Sequence, residues 1–219
     1  MIHLQATSDV YKRLMAGNHW FESCLYIGAK NSTPSPDTAF GEEMIYNMKT
    51  KKSVFANGVP EVGCCVAGEI DIEMILPDST IPRMAMLVPY VRVTDGNEYS
   101  EWIQKGVYFI DTREQTQNST PKSTLKIHGY DNMLKAGQPF DASKMTWPNT
   151  DLNVVKHCAS IMGVTVRSDT LARINKSYSI PNPEEYTYRE ALGFIASMYA
   201  GNFTMDDLGR LRLIYLNEG

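Results

Sequence analysis

The 219-residue sequence lacks the features of a secreted or membrane-bound protein. No apolar run approaches the roughly 18 residues that a membrane span requires, so we predict no membrane span. The first residues contain no basic stretch followed by an apolar one, which argues against a signal peptide. Cysteine is scarce, with four residues at positions 24, 64, 65 and 158. Cys64 and Cys65 are neighbours in a strand-like segment and would point to opposite faces, which suits neither a disulfide nor a zinc site. We predict reduced, mostly buried thiols and synthesis in a reducing cytoplasm.

The sequence also lacks an excess of positive charge. Its formal net charge is -4 at pH 7, and no run of like charges is long enough to form a nucleic-acid-binding arm. A chain of this sign is a poor electrostatic match to a phosphate backbone. We therefore predict no sequence-specific binding to nucleic acid.

Local catalytic motifs are missing as well: there is no His-Glu-x-x-His, no Gly-x-Ser-x-Gly, no Walker-type loop and no Cys-x-x-Cys. Glu69, Asp71 and Glu73 alternate along one predicted strand, but acid–base catalysis needs two carboxylates in unlike environments. His157 and Cys158 are adjacent on a predicted helix and point about 100° apart, so they do not form a nucleophile–base pair. We predict that the chain is not an enzyme, that it has no catalytic, cofactor-binding or metal-binding residues, and that no cofactor co-purifies with it.

Two histidines have structural interpretations. His157 falls on the polar face of its predicted helix, so we expect it at the surface. His128 ends a predicted strand just before residues 129–131, and we expect a structural histidine with satisfied hydrogen bonds.

Short strands joined by turns are what the first two-thirds of the sequence does contain. The clearest strand covers residues 69–76, where apolar side chains alternate with acidic ones. Residues 84–94 form another extended run, and Pro89 inside it predicts an edge position or a bulge. A short helix from Ser8 to Gly17 comes first, and the remaining predicted strands lie at residues 19–27, 98–103, 106–111 and 123–128. This pattern predicts a barrel or a sandwich.

The periodicity becomes helical beyond residues 146–149, which we interpret as a domain boundary. One helix is predicted at residues 152–162, closed by Gly163. A second begins at Thr187, which forms a capping box with Glu190, and ends at Gly201. A hairpin at residues 202–216 follows. We predict a mainly β, α+β protein with a β domain at residues 1–145 and an α+β unit at residues 146–219, and we expect this second unit to continue in a longer parent chain.

Three parts of the sequence stand out by their order and spacing. They are GEIDIEM at 68–74 with IPRMA at 81–85 and VPYVR at 88–92, EWIQKGVYFIDT at 101–112 with LKIHGYD at 125–131, and YREALGFIA at 188–196 with GRLRL at 209–213. Together they span the chain from about residue 60 to its end, and they resemble the tail-hub proteins of bacteriophages, prophages and related contractile injection systems, in the same order as in that family.

The resemblance implies that residues 1–145 form a tail-tube-like β-barrel. The barrel would be part of a homotrimeric ring in a baseplate or tail-tip hub, which joins the tail tube to the spike or tip. Implied partners are further copies of the chain, a tail-tube or distal tail protein, a spike or tail-tip protein and a tape-measure protein. Implied locations are the bacterial cytoplasm during synthesis and the virion tail afterwards.

An acidic strand face suggests a more specific hypothesis. Glu69, Asp71 and Glu73 would suit the wall of a lumen through which DNA passes without binding, although the same face could be outer surface.

Two other functions stay open. The chain could be a fragment of a virion-associated cell-wall hydrolase or peptidase. It could also be a receptor- or carbohydrate-binding module of the tail tip, in which Trp20, Trp102 and Trp147 stack on sugars. The three tryptophans lie in separate predicted elements, which favours packing roles for them.

Overall fold

The computed structural model describes residues 7–56, 58–116 and 123–216. Within these ranges the chain divides into two compact units. The first draws on residues 1–50 and 69–130, and the second on residues 51–68 and 131–219. The sequence pattern placed a boundary at residue 146, whereas residues 131–145 belong to the second unit. The side chains of Met133, Ala136 and Phe140 from this stretch are buried in the core of the second unit. The stretch contains two short 3-10 helices, Asn132–Gly137 and Ala142–Lys144, which carry no α-helical periodicity in the sequence.

A seven-stranded sheet forms most of the first unit. Its strands are β1 (Trp20–Gly28), β2 (Ile45–Lys51), β3 (Glu69–Ile75), β4 (Met86–Thr94), β5 (Ile103–Gln104), β6 (Tyr108–Thr116) and β7 (Thr124–Tyr130). The path through the sheet runs β1-β4-β6-β7-β3-β2, and β5 pairs with β4 beside this path. A short helix, α1 (Asp9–Met15), precedes the sheet and is capped by the Ser8 hydroxyl, as predicted.

The mainly β, α+β class is confirmed, but the predicted barrel is not closed. Strands β1 and β2 end the path, and no ladder joins them in the described part of the chain. The outer edge of β1 is occupied by the loop that follows it. Leu25 exchanges two backbone hydrogen bonds of 2.9 Å with Phe40, and the Ser23 N–H donates to the Glu42 carboxylate at 2.8 Å. These groups leave β1 little free edge with which to close a barrel.

The alternation predicted for residues 69–76 is confirmed in β3. Ile70, Ile72 and Met74 are buried, whereas Asp71 between them is exposed. The buried side chains pack against the inward residues of β7 and against Leu87 of β4, which gives the first unit one main apolar cluster. At about 25 cal/mol per Å² of apolar surface, burial of this face is what fixes the register of the strand.

Pro89 lies in the interior of the sheet, so the predicted edge position is wrong. It pairs with Leu25 of β1. Because the N–H and C=O of Leu25 are bonded to Phe40 on the far side, the N and C=O of Pro89 also point away from β1. There the Pro89 carbonyl accepts the Lys105 N–H at 2.8 Å, between the end of β5 and the start of β6. The missing N–H of the proline therefore falls at a break between two neighbouring strands.

In the described residues of the second unit there are three α-helices, one more than predicted. The additional helix, α3, has only six residues, and its N-cap residue Arg167 makes no side-chain cap hydrogen bond, so it leaves little pattern in the sequence. The helices are α2 (Asp151–Met162), α3 (Ser168–Arg173) and α4 (Tyr188–Met198); a short ladder joins β8 (Asn149–Thr150) to β9 (Ser179–Ile180), and the hairpin consists of β10 (Gly201–Met205) and β11 (Leu211–Tyr215).

These elements share one core. Buried side chains of α2 and α4 pack against Phe203, Leu211 and Leu213 of the hairpin. The predicted caps are confirmed: Gly163 ends α2 with a φ of 73°, and Thr187 and Glu190 form the capping box of α4.

Candidate functional site

The polar face of strands β3 and β7 carries several charged side chains. Strand alternation places Glu69, Asp71 and Glu73 together on it, opposite the buried isoleucines. The β3–β7 register then sets Asp71 against His128 and Glu73 against Lys126. The structure thus brings together the three carboxylates that the sequence pattern grouped, and adds two basic neighbours that it did not.

Both side chains contact carboxylates across the strands. His128 Nδ1 lies at hydrogen-bond distance, 2.7 Å, from Asp71 Oδ1, and Lys126 Nζ lies 3.9 Å from Glu73 Oε1. In the β6–β7 register Glu114 stands opposite Lys126. An open depression of about 410 Å³ is lined by these strands and by Asn47 of β2. The face therefore carries side chains of both charges, and the expectation of a hydrogen-bonded His128 is met.

This face has no pair of carboxylates in unlike environments. Asp71 is exposed, while Glu69 and Glu73 are half-buried on the same open strand face. A general acid needs a carboxyl group whose pKa is raised by burial, beside a second one that stays ionised. The arrangement suits solvent or partner contact better than acid–base catalysis.

The four cysteines are buried and free, as predicted. Burial raises the pKa of Cys24 to about 11 and that of Cys65 to about 12, and it also raises the pKa of Cys158. Because the thiolate is the reactive form, these thiols are poor nucleophiles at neutral pH.

His157, which the helical wheel predicted at the surface, is only partly exposed. Its Nε2 atom is shielded from solvent and has no hydrogen-bond partner in the described structure. Its ring centroid lies 5.6 Å from that of Phe140 and 5.8 Å from that of Tyr188. The wheel was misleading because a segment outside the helix, which carries Phe140, covers this part of the polar face. Burial lowers the pKa of His157, and the nearby Asp141 carboxylate partly opposes that shift.

Two of the three tryptophans are engaged in packing. The guanidinium of Arg92 lies 4.4 Å from the centroid of the Trp102 ring and 4.2 Å from that of Tyr99, and it is ion-paired with Glu22 at 2.6 Å. Trp147 donates from Nε1 to the carbonyl of Ala142 at 2.9 Å and packs against Phe140. Trp20 alone among the three is half exposed, at 51%. No row of three stacking tryptophans results.

The sequence analysis did not detect a group of four arginines on the second unit: Arg167, Arg173, Arg210 and Arg212. They lie in loops, in α3 and in β11. No short stretch of sequence contains more than two of them, so their spacing did not predict a cluster.

In the ranges that the structure describes, no three His, Cys, Asp or Glu side chains are grouped so that they could hold a metal ion. No helix in the same ranges is long and apolar enough to cross a membrane.

Comparison with known proteins gives matches in structure but not in sequence. No protein-family model and no curated protein matches the chain. The 43 kDa tail protein of prophage MuSo2 from Shewanella oneidensis aligns with a TM-score of 0.57 at 14% identity, over 90% of this chain and 56% of that protein. The tail protein of Neisseria meningitidis MC58 aligns with a TM-score of 0.52 at 15% identity, over 88% of this chain and 51% of that one.

A chain of the Francisella PdpA–VgrG complex in its lidded form also aligns, with a TM-score of 0.52 at 8% identity, over 90% of this chain and 28% of that chain. This chain thus spans about half the length of the two tail proteins and less of the third match. At such low identity the alignments show a shared fold. The fold is that of phage and prophage tail proteins, in line with the resemblance of the sequence segments.

Proposed function

We propose that this chain is a non-enzymatic structural part of a phage or prophage tail, namely a portion of the baseplate or tail-tip hub that joins the tail tube to the spike or tip. The observation that carries the proposal is the fold shared with two tail proteins over about nine-tenths of the chain. The place of action would be the virion tail, after synthesis in the bacterial cytoplasm.

The proposed partners follow from the same likeness and from the surface. A homotrimeric ring needs a repeated heterologous interface, and an open sheet with a partly free edge at β1 offers one. The proposed outer partners are a tail-tube or distal tail protein, a spike or tail-tip protein and a tape-measure protein. The likeness to a chain from a PdpA–VgrG complex supports the proposal that this chain acts within a complex of different proteins.

Light scattering on the full-length parent protein, with and without the cognate tail-tube protein, tests the proposal. We expect a trimer that binds the tube protein. A protein that stays monomeric at high concentration and does not bind the tube protein would contradict it. A zymogram on peptidoglycan with the 219-residue chain addresses the hydrolase alternative, which clear lysis would support.

The polar face of β3 and β7 is proposed to line the lumen of the ring. Its carboxylates would repel the phosphates of passing DNA, although Lys126 offsets part of their charge. A density map of the assembled ring provides the test, through the position of Asp71 relative to the ring axis. An outward-facing Asp71 would refute the lumen hypothesis and leave the hub proposal intact.

A further inference from the structure

The edge of the second unit formed by α3 and β11 has a local excess of positive charge. Two backbone contacts hold these elements together on either side of Arg212: the Arg167 N–H donates to the Leu211 carbonyl, and the Leu213 N–H donates to the Thr170 hydroxyl, both at 2.9 Å. Among the described residues, the charged side chains around this junction include four arginines and two aspartates, namely Arg167, Arg173, Arg210, Arg212, Asp169 and Asp206. These residues make the junction locally basic in a chain whose net charge is -4.

Both aspartates are already paired with other arginines. Asp169 Oδ1 lies 3.1 Å from Arg167 Nε. Asp206 Oδ2 lies 2.7 Å from Arg210 Nη2, and its other oxygen accepts the backbone N–H groups of Leu208 and Arg210 in the hairpin turn. Neither carboxylate forms an ion pair with Arg212.

Arg212 differs from its neighbours in this respect. Among the described residues it has no carboxylate at ion-pair distance, and its Nε is shielded from solvent without a hydrogen-bond partner. Burial and the like charges of Arg167 and Arg173 lower the pKa of its guanidinium, and the Asp169 and Asp206 carboxylates partly oppose that shift. A half-buried cation that no carboxylate contacts directly is costly, and an anion that reaches it would recover part of that cost.

We infer that Arg212, assisted by Arg167, binds a carboxylate group, supplied either by a small organic acid or by an acidic segment of a protein partner. A carboxylate matches the planar fork of donors that a guanidinium presents, whereas a lysine would offer only a point charge. A nucleic-acid backbone fits less well, because the excess is confined to one junction and the remainder of the chain is acidic. This inference does not depend on the tail proposal.

Thermal unfolding of the chain in sodium citrate, in a short poly-glutamate peptide and in sodium chloride of equal ionic strength tests the inference. A ligand that binds only the folded state raises Tm in a saturable way. We expect citrate or the peptide, but not chloride, to raise the wild-type Tm by about 2–4 °C. A modest gain in stability shifts the Tm of a chain of this length by about that amount. If the peptide raises Tm at a lower concentration than citrate does, the carboxylate comes from a protein partner. If citrate acts at the lower concentration, the carboxylate comes from a small organic acid.

Arg212→Met is the informative variant. It replaces an unpaired, half-buried charge by an apolar side chain of similar length, so we expect a higher Tm without ligand and no saturable response to citrate or peptide. Arg212→Lys, which keeps the charge and loses the fork, should respond more weakly than wild type. Arg83→Met, at an exposed arginine in the first unit, is the control and should respond like wild type. Equal Tm increments in wild type, Arg212→Met and Arg83→Met would overturn the inference, as would no increment in wild type.

Discussion

His157 shows how a single side chain can couple stability to pH. Its ring lies among Phe140 and Tyr188, its Nε2 has no partner in the described structure, and burial lowers its pKa below the ordinary 6.5. A histidine whose folded pKa is depressed contributes stability above its unfolded pKa, and that contribution is lost as the pH falls. Asp131 acts in the opposite direction, because burial raises its pKa to about 6 and its contribution is lost as the pH rises through that value.

We therefore expect the free energy of unfolding of the His157→Phe variant to fall less than that of wild type between pH 7.5 and pH 5. Phenylalanine keeps an aromatic ring in the cluster and removes the group that titrates. Urea unfolding at the two pH values measures the difference, and the Asp131 contribution cancels because it is present in both proteins. His19, which is partly exposed and lies outside the cluster of Phe140 and Tyr188, offers a control in His19→Phe. An identical pH dependence in wild type and His157→Phe would show that His157 does not titrate differently on folding.

Elements whose signals lie within a few neighbouring residues were predictable from the sequence. Examples are the alternation of β3, the cap of α1, the capping box of α4 and the final hairpin, because each depends on contacts a few positions apart.

Strand β2 was missed, since its partly buried Ile45 and Met48 are three positions apart and leave no period-2 pattern. The end of α4 was also misplaced. The left-handed residue is Ala200, with a φ of 49°, whereas Gly201 begins β10, where a Cβ would meet the Ile214 carbonyl at 2.5 Å.

Asn202 ties this hairpin to the segment of residues 51–68 within the second unit. It is fully buried, its Nδ2 donates to the carbonyls of Val54 and Glu61 at 3.0 and 2.8 Å, and its Oδ1 accepts the Cys64 N–H at 2.8 Å. No sequence pattern predicted this junction, because the partners are more than a hundred positions away.

Replacing Asn202 by alanine would leave three backbone groups without these partners. We expect Asn202→Ala to lower the free energy of unfolding by about 3 kcal/mol, since each buried unsatisfied group costs about 1–3 kcal/mol. Urea unfolding at neutral pH measures the loss. Asn47→Ala, at an exposed asparagine of β2, should change stability by less than about 0.5 kcal/mol. A small effect at Asn202 would mean that water replaces the lost hydrogen bonds.

At the level of the whole molecule, the sequence resemblance predicted the fold more surely than the arrangement of the surfaces. The three segments resemble tail proteins, and the fold is shared with two of them. Three features of the surfaces were not predictable: the contacts of the acidic face with His128 and Lys126, the segment that covers His157, and the arginine junction. Each is formed by residues from separate elements, and the periodicity of a single sequence does not tell which elements meet.

The start of β1 is where we expect copies of the parent protein to meet. Trp20 and Phe21 are each 51% exposed on opposite faces of this edge strand. Further along, Ser23 and Leu25 are already bonded to Glu42 and Phe40, whereas no backbone partner among the described residues occupies the outer side of Trp20 and Phe21. Large exposed aromatic side chains are the residues that most often dominate the binding energy of an interface.

A Trp20→Ser, Phe21→Ser double variant of the parent protein should therefore associate at least about 10-fold more weakly, because loss of one such side chain typically costs about 2 kcal/mol or more. Its Tm as a monomer should change little, since both side chains are half exposed in the fold. Sedimentation equilibrium measures the association, and thermal unfolding of the 219-residue chain checks the fold. Tyr46→Ser, at a side chain that is 60% exposed on β2, is the matched control and should associate like wild type. If the double variant associates as tightly as the Tyr46→Ser control, the interface lies elsewhere and the start of β1 is an ordinary solvent-exposed edge.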